Sequence, residues 1–534
     1  MYHALAYRDW AGNARTDRSA GARLRAHNEA MSTPPHTWAR PLRISGSPDR
    51  WPLHDAQASR LAEQAAQAQH APHALMTRAG WAVARLALAL APHAARFQVW
   101  AGPGNNGGDG LVAARLLHQA GRPVHVSWLG DAAHLPADAA HALATAQQAG
   151  VPLQAWSGGQ VPAHDLAIDA LLGLGAARPP AGALAAAIEA INAGAAPVLA
   201  VDIPSGLHPD SGSVLGSAAV RAQNTLGLLS LKPGCHTGQG RDHAGDVWWD
   251  ALGVDAGMPT AWLSGAPARA SRQHAAHKGS FGDVAVVGGA PGMAGAAWLA
   301  ARAALAAGAG RVYCSLLDDR NPSIDTSRPE LMTRAAWWRS APALMHTHTV
   351  VCGCGGGSAV AAVLPPLLAH AARLVLDADA LNAVAADATL AALLQARRAR
   401  GLPTLLTPHP LEAARLLATS TTQVQADRMA SSQALAELFG ATVLLKGSGS
   451  VIASAAGTPC VNPTGNAALA TAGTGDVLAG WAAGLWAQTP EATPSQVAVA
   501  AAWWHGRAAD MHANACPGTP LRASDLIDAM VIAH

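Results

Sequence analysis

The feature that most constrains this chain is an alternation of two periods. Short apolar runs of strand length recur between Ala/Leu-rich stretches of helical length. Examples are 97-FQVWAG-102, 123-PVHVSWL-129, 197-PVLAVDI-203, 283-DVAVVGG-289, 373-RLVLDAD-379 and 442-TVLLKG-447. Such alternation predicts an α/β protein in which parallel sheets are joined by crossover helices. Ligands of these sheets bind beyond the carboxyl ends of the strands. Polar residues fall there: Asp169 after 166-LAI-168, Asp202 within 200-AVDIPSG-206, and Asp377 and Asp379 after 374-LVL-376. The 534 residues suggest about two to four domains. Between 254 and 276 the pattern lapses into a stretch rich in Gly, Pro, Ser and Ala, the candidate linker.

Composition removes several classes of function. A net charge of +2 gives no footing for nucleic acid or an acidic membrane surface. No apolar run reaches the ~18 residues of a membrane helix. The six cysteines show no CxxC pair, which predicts free thiols and a cytoplasmic setting. The histidines are scattered, and 346-HTH-348 lacks partners at metal-site spacing. The first 30 residues lack the apolar core of a secretion signal, and Asp9, Asp17 and Glu29 argue against a transit peptide. They read as a disordered extension over 1–35, with Met31 as an alternative start.

Two glycine-rich stretches carry chemistry. In 104-GNNGGDG-110 a strand-like run leads through glycines into a helix expected from Leu111. Glycine permits a sharp turn and close approach of a ligand, and the helix start offers unpaired N–H groups. Asn106 and Asp109 add oxygens. A polar-ligand loop and a capped tight turn both fit this stretch alone. In 471-TAGTGDVLAG-480 the same logic puts N–H groups of Gly473–Gly475 beside Asp476, a group able to take a proton from an attacking hydroxyl. No GxxxxGK[ST] is present. Only three lysines occur, Lys232, Lys278 and Lys446, each beside glycine in 231-LKPG-234, 277-HKGS-280 and 445-LKGS-448. A lysine kept against an arginine background suggests a task for a compact ammonium, with chance as the competing account.

With both stretches in view the chain resembles the family of bifunctional NAD(P)H-hydrate repair enzymes over about residues 50 to 530. In the first half the resemblance rests on 75-LMTRAG-80, 102-GPGNNGGDGLVAARLL-117, 169-DALLGLG-175 and 201-VDIPSGL-207. In the second it rests on 277-HKGSFGDVAVVGG-289, 377-DADALN-382, 407-TPHP-410 and 471-TAGTGDVLAG-480. It implies an N-terminal Rossmann-like three-layer epimerase domain (36–255), a linker (256–272) and a C-terminal ribokinase-like dehydratase domain (273–534). The first domain would interconvert R and S hydrates of NAD(P)H. The second would use ADP to dehydrate the S form, giving AMP and phosphate.

The resemblance also implies sites. Substrate in the epimerase would meet Asn105, Asn106, Gly107, Gly108 and Asp109, then Gly173, Leu174, Gly175, Ala176, Ala177, Arg178 and Pro179, and Asp202. K+ would sit on Asn106, Asp169 and Ser205; Lys232 is a candidate catalytic group. In the dehydratase, substrate would meet Ala296, Gly357, His409 and Asp476, the last as catalytic base. ADP, with Mg2+, would bind Lys446, Gly447, Ser448, Gly449, Ser450 and Gly475. NAD(P)H hydrates and ADP are the expected partners, in a homo-oligomer. The chain departs from the family where Gly-Pro-Gly-Leu-Gly becomes 353-GCGGG-357, where TPHPGE becomes 407-TPHPLE-412, and where 288-GGAPGMAGAA-297 lacks a frequent tyrosine. The competing account is a ribokinase-like small-molecule kinase with a non-catalytic N-terminal binding module.

Overall fold

A computed structural model describes residues 40–44, 50–175, 178–268, 272–318, 320 and 324–534. The extension expected over 1–35 and the loop residues Ala176 and Ala177 lie outside the described residues.

The apolar runs form two large sheets. The N-terminal lobe holds eight strands in the spatial order Leu42–Arg43, Asp246–Asp250, Asn224–Leu228, Val198–Val201, Leu166–Ala170, Phe97–Ala101, Val124–Trp128 and Leu153–Ala155. All pair in parallel except the first, which runs antiparallel to Asp246–Asp250. From Phe97–Ala101 the chain winds outward to one side, then returns to lay Leu166–Ala170 on the other. That reversal opens a crevice between the two strands, with Trp100 in register with Asp169.

The second sheet has eleven strands. Its parallel centre is Arg311–Leu316, Asp283–Gly288, His348–Cys352, Arg373–Leu376, Thr404–Leu406 and Thr442–Leu445. Its reversal lies between Asp283–Gly288 and His348–Cys352. Helices cover both faces of each sheet, which is why the strands are apolar at nearly every position.

Small residues set how closely the site-bearing helices approach. A Cβ on Gly480 would stand 2.0 Å from the Ala300 carbonyl, and one on Gly484 2.4 Å from that of Ala304. The Thr474–Gln488 helix therefore lies almost backbone to backbone on the Ala294–Ala306 helix. This contact aims its N-terminus at the strand ends. In the N-terminal lobe a Cβ on Gly110 would lie 2.6 Å from Ala170 Cβ, which presses the Asn105–Gln119 helix onto the sheet.

Two expectations change. The helix read as starting at Leu111 starts at Asn105, so the glycine stretch forms its first turns. A Cβ on Gly107 would meet the Gly102 carbonyl at 2.0 Å, and only glycine lets the helix begin that close to the strand it follows. The span 256–272, read as a linker, carries the strand Ala261–Leu263. It pairs in parallel with Cys460–Val461 of the second sheet and antiparallel with Trp51–Leu53, which follows the Leu42–Arg43 strand of the first lobe in the chain. A shared core follows, with Leu53, Ile203, Leu207, Leu231, Ala261, Leu263 and Val461 buried together.

Candidate active sites

The N-terminal crevice holds a cavity of about 430 Å³. Asn105, Asn106 and Asp109 line it from the helix start; Gly173, Leu174 and Gly175 from the loop after Leu166–Ala170; Asp202 and Lys232 from beneath. Gly107 and Gly108 serve packing, against Gly102 and Met76. Arg178 and Pro179 are exposed and do not border the cavity.

Asp169 is completely buried, two residues before Leu171, which lines this cavity. It accepts from the Ser205 hydroxyl at 2.7 Å, the Ser205 N–H at 2.8 Å and the Leu171 N–H at 3.2 Å. Burial still outweighs these bonds and pushes its carboxyl up to about 6. Ser205 Oγ also accepts from the Leu172 N–H at 2.8 Å. The next residue, Gly173, comes within 3.2 Å of the Asn106 side-chain carbonyl, measured from an ideal Cβ. The three residues expected to hold K+ are thus gathered around one loop. One amide position of Asn106 is buried without a hydrogen-bond partner.

The Lys232 ammonium donates to Asp202, to the Leu228 carbonyl at 2.8 Å and to the Ser230 carbonyl at 3.0 Å. Asp202 sits at φ +68°, a left-handed conformation that turns the strand end toward the lysine. The Asp109 carboxyl forms no hydrogen bond among the described residues. Loss of solvation, and then the charges of Asp202 and Glu63, hold its carboxyl well above the usual range.

In the C-terminal lobe the ends of four strands converge on the Thr474–Gln488 helix. Asp377 accepts from Lys446 Nζ at 2.6 Å and from the Thr407 hydroxyl at 2.8 Å. Asp476 lies beside this pair. Burial, then the Asp377 charge, pushes its carboxyl up to about 6. The sulfur of Cys354 and one oxygen each of Asp377 and Asp476 lie within 4.8 Å of one another. Gly473, at φ +90°, precedes the helix, so the first-turn N–H groups of Gly475 and Asp476 face away from any helical carbonyl.

The remaining expected residues surround this centre. Gly357 N–H donates to Asp379 at 2.8 Å. Ala296 packs under the same loop, 2.9 Å from an ideal Cβ on Gly355. His409 caps the Pro410–Leu416 helix, accepting from the Leu411 and Glu412 N–H groups through Nδ1. A second cavity of about 550 Å³ opens on the other side of the Gly473–Asp476 turn. Lys446, Gly447, Ser448, Ser450 and Gly475 line it, while Gly449 turns away and packs on the His236 carbonyl.

A family profile described as NAD(P)H-hydrate dehydratase matches residues 284–530, and one described as YjeF-related protein N-terminus matches 72–234. The bifunctional NAD(P)H-hydrate repair enzyme of Escherichia coli (strain K12) is 34% identical over 482 residues, covering 85% of this chain and 88% of that protein. The repair enzyme of Coxiella burnetii is 35% identical over 483 residues, covering 88% and 96%. This chain belongs to the bifunctional NAD(P)H-hydrate repair enzymes. Among solved structures, an ADP/ATP-dependent NAD(P)H-hydrate dehydratase from Bacillus subtilis, co-crystallised with ATP and Mg2+, is 25% identical with a TM-score of 0.40, covering 49% of this chain and 92% of that one.

Relatives of this repair-enzyme family match across both lobes, which favours the two-site reading over a kinase with an idle N-terminal module. Several site-bordering residues escaped sequence reasoning. Glu63 reaches the N-terminal cavity from the Ala56–Gln69 helix, whose face could be assigned only once its neighbours were in place. Glu412, whose carboxyl burial pushes up to about 7, stands 3.2 Å from His409 Nε2. Its signal was present, as the third residue after the helix-capping His409. Arg241 borders the C-terminal cavity from the other lobe, and no local pattern announces that.

Proposed function

We propose that this repair enzyme works through two separated sites, with the residues gathered above in defined roles. The N-terminal lobe epimerises R and S hydrates of NAD(P)H. The C-terminal lobe dehydrates the S form at the expense of ADP, giving NAD(P)H, AMP and phosphate.

The observation that carries the dehydratase assignment is the junction of Asp476, the Gly475 N–H and the Lys446–Asp377 pair at one helix mouth. The substrate hydroxyl gives its proton to Asp476 as its oxygen attacks the β-phosphorus of ADP. The bond to the bridging oxygen breaks and AMP departs. Helix N–H groups and Lys446 meet the charge on the transferring phosphoryl group. Phosphate then leaves the ring with its bonding pair, and loss of a proton from the neighbouring ring carbon restores NAD(P)H. Mg2+ fits this mouth, where Asp377 and Asp379 supply hard oxygen donors; when bound it neutralises phosphate charge. His409, Gly357 and Ala296 border the face on which the nicotinamide ring would rest.

In the epimerase lobe Asp109 has its protonated form favoured by burial and then by the charges of Asp202 and Glu63. It is placed to give a proton to the ring hydroxyl and to take it back after re-addition from the opposite face. Lys232 serves by holding Asp202 in place. K+ fits the oxygens of Asn106, Asp169 and Ser205, because Asp169 is a buried carboxylate with no basic side chain beside it among the described residues to balance its charge. When bound, the ion supplies that balance and orders the loop around Gly173.

We assign residues 36–255 to the epimerase unit and 273–534 to the dehydratase unit. A cytoplasmic setting, consistent with six free cysteines, and a homo-oligomeric state complete the proposal. The test is an absorbance assay of regenerated NADPH from mixed R and S hydrates with ADP and Mg2+. Full recovery, faster than spontaneous epimerisation, is expected. Recovery of the S fraction alone would remove the epimerase assignment, and no recovery would remove the dehydratase assignment in favour of a small-molecule kinase.

A further inference from the structure

The C-terminal cavity is walled in part by the N-terminal lobe. Arg241, on the short Gly240–His243 helix, lines it together with Lys446, Ser448, Asn466 and Gly475. Arg241 Nη2 donates to the Gly465 carbonyl at 2.7 Å and to the Pro463 carbonyl at 3.1 Å. Asp510 grips the same strap from within the C-terminal lobe, accepting from the Gly465 N–H at 2.9 Å and from Asn466 Nδ2 at 3.0 Å. Gly465 stands at φ +99° between these anchors. A guanidinium carries five N–H donors. Those on Nε and Nη1 form no hydrogen bond among the described residues, in a side chain that borders the cavity.

The opposite wall is held from the same side. The Gly238 N–H donates to the Ser448 carbonyl at 3.0 Å, and the Thr237 hydroxyl to that of Gly449 at 3.3 Å. A Cβ on Gly449 would stand 2.0 Å from the His236 carbonyl, so this loop and the N-terminal lobe touch through bare backbone. The strand Cys460–Val461, which delivers the strap, pairs on one side with Ala261–Leu263, which in turn pairs with Trp51–Leu53. Both walls of the cavity therefore depend on contacts that the dehydratase segment does not itself supply.

We infer that the N-terminal lobe completes the nucleotide site of the C-terminal lobe, with Arg241 as its positioning residue. The inference rests on the nucleotide reading of Lys446–Ser450. Arg241 fixes the strap through two carbonyls, and its remaining donors suit the anionic groups of a nucleoside diphosphate. The epimerase lobe thus has a second duty, unrelated to its own cavity.

The test uses the full chain. ADP binding is measured by calorimetry on wild type, Arg241→Ala and Arg241→Gln, alongside KM for ADP, KM for S hydrate, and the rate of epimerisation. Both variants are expected to bind ADP about tenfold more weakly, with a matching rise in KM for ADP. KM for S hydrate and the epimerisation rate are expected to hold. If Arg241→Ala fails to fold, Arg241→Gln, which keeps bulk and one donor group, carries the test. Unchanged ADP affinity in a folded variant overturns the inference. So does a uniform loss across both activities, which marks Arg241 as structural only. Failure of the wild type to bind ADP would remove the nucleotide reading first, and this inference with it.

Discussion

The Lys232 ammonium is sealed onto the Asp202 carboxylate beneath the N-terminal cavity, and the pair is nearly closed to water. Both remaining N–H groups of the lysine reach backbone carbonyls, of Leu228 and Ser230. Removing one partner strands the other as a buried charge. Lys232→Met is expected to cost about 3–5 kcal/mol and to abolish epimerisation. Lys232→Arg is expected to fail as well, because a planar fork does not fit a three-acceptor cage built for an ammonium. The double variant Lys232→Met/Asp202→Asn is expected to recover part of the stability and none of the epimerase activity. Thermal denaturation and an R-to-S conversion assay check the pair; equal melting temperatures for wild type and Lys232→Met would contradict it.

Asp476 must be ionised to accept a proton, and burial has pushed it up to about 6. Dehydration is expected to fall as pH drops through about 6, the acid limb of a pH–rate profile. Its folded value lies above its unfolded one, so ionisation weighs against the fold, and stability falls as pH rises between about 4 and 6. Asp476→Asn is therefore expected to abolish ADP-dependent turnover while melting no lower than wild type at pH 7.5. A marked loss of melting temperature would identify Asp476 as a structural group.

The same sign reasoning applies to Asp169. A cation favours the ionised carboxylate, so K+ is expected to raise the melting temperature more at pH 7.5 than at pH 5, where Asp169 is already protonated. Na+ at equal ionic strength is the control. Ser205→Ala removes the 2.7 Å bond to Asp169 and is expected to cost about 1–3 kcal/mol along with the K+ response. An identical K+ increment at both pH values would count against the ion at this carboxylate.

Two glycines three residues apart are expected to behave very differently. A methyl on Gly107 would lie 2.0 Å from the Gly102 carbonyl, whereas one on Gly104 meets nothing within 4 Å. Gly107→Ala is expected to lower the melting temperature and eliminate epimerisation, because the helix cannot start against its strand. Gly104→Ala, at the helix N-cap and free of any clash, is expected to cost no more than about 1 kcal/mol. Paired melting curves and epimerase rates decide the matter, and equal behaviour would contradict the close approach.

The sequence by itself determined the α/β class, the strand centres and the carboxyl-end position of Asp169, Asp202, Asp377 and Asp379. These follow from local period and from residue type at the end of each run, which travel with the chain segment wherever it packs. The glycine-flanked rarity of lysine pointed to Lys232, Lys278 and Lys446; the first and last are buried against aspartates in the two sites, whereas Lys278 is exposed. Tertiary structure decided the rest. It started the Asn105–Gln119 helix six residues earlier than the apolar pattern did, because a backbone approach near 2 Å from an ideal Cβ is a property of two segments together. It sent Trp51–Leu53 and Ala261–Leu263 into the other lobe's sheet, and Arg241 to carbonyls 222 and 224 residues away. Contacts of that span leave no period and no spacing in the sequence. They arise only when two separately patterned lobes close on a common core.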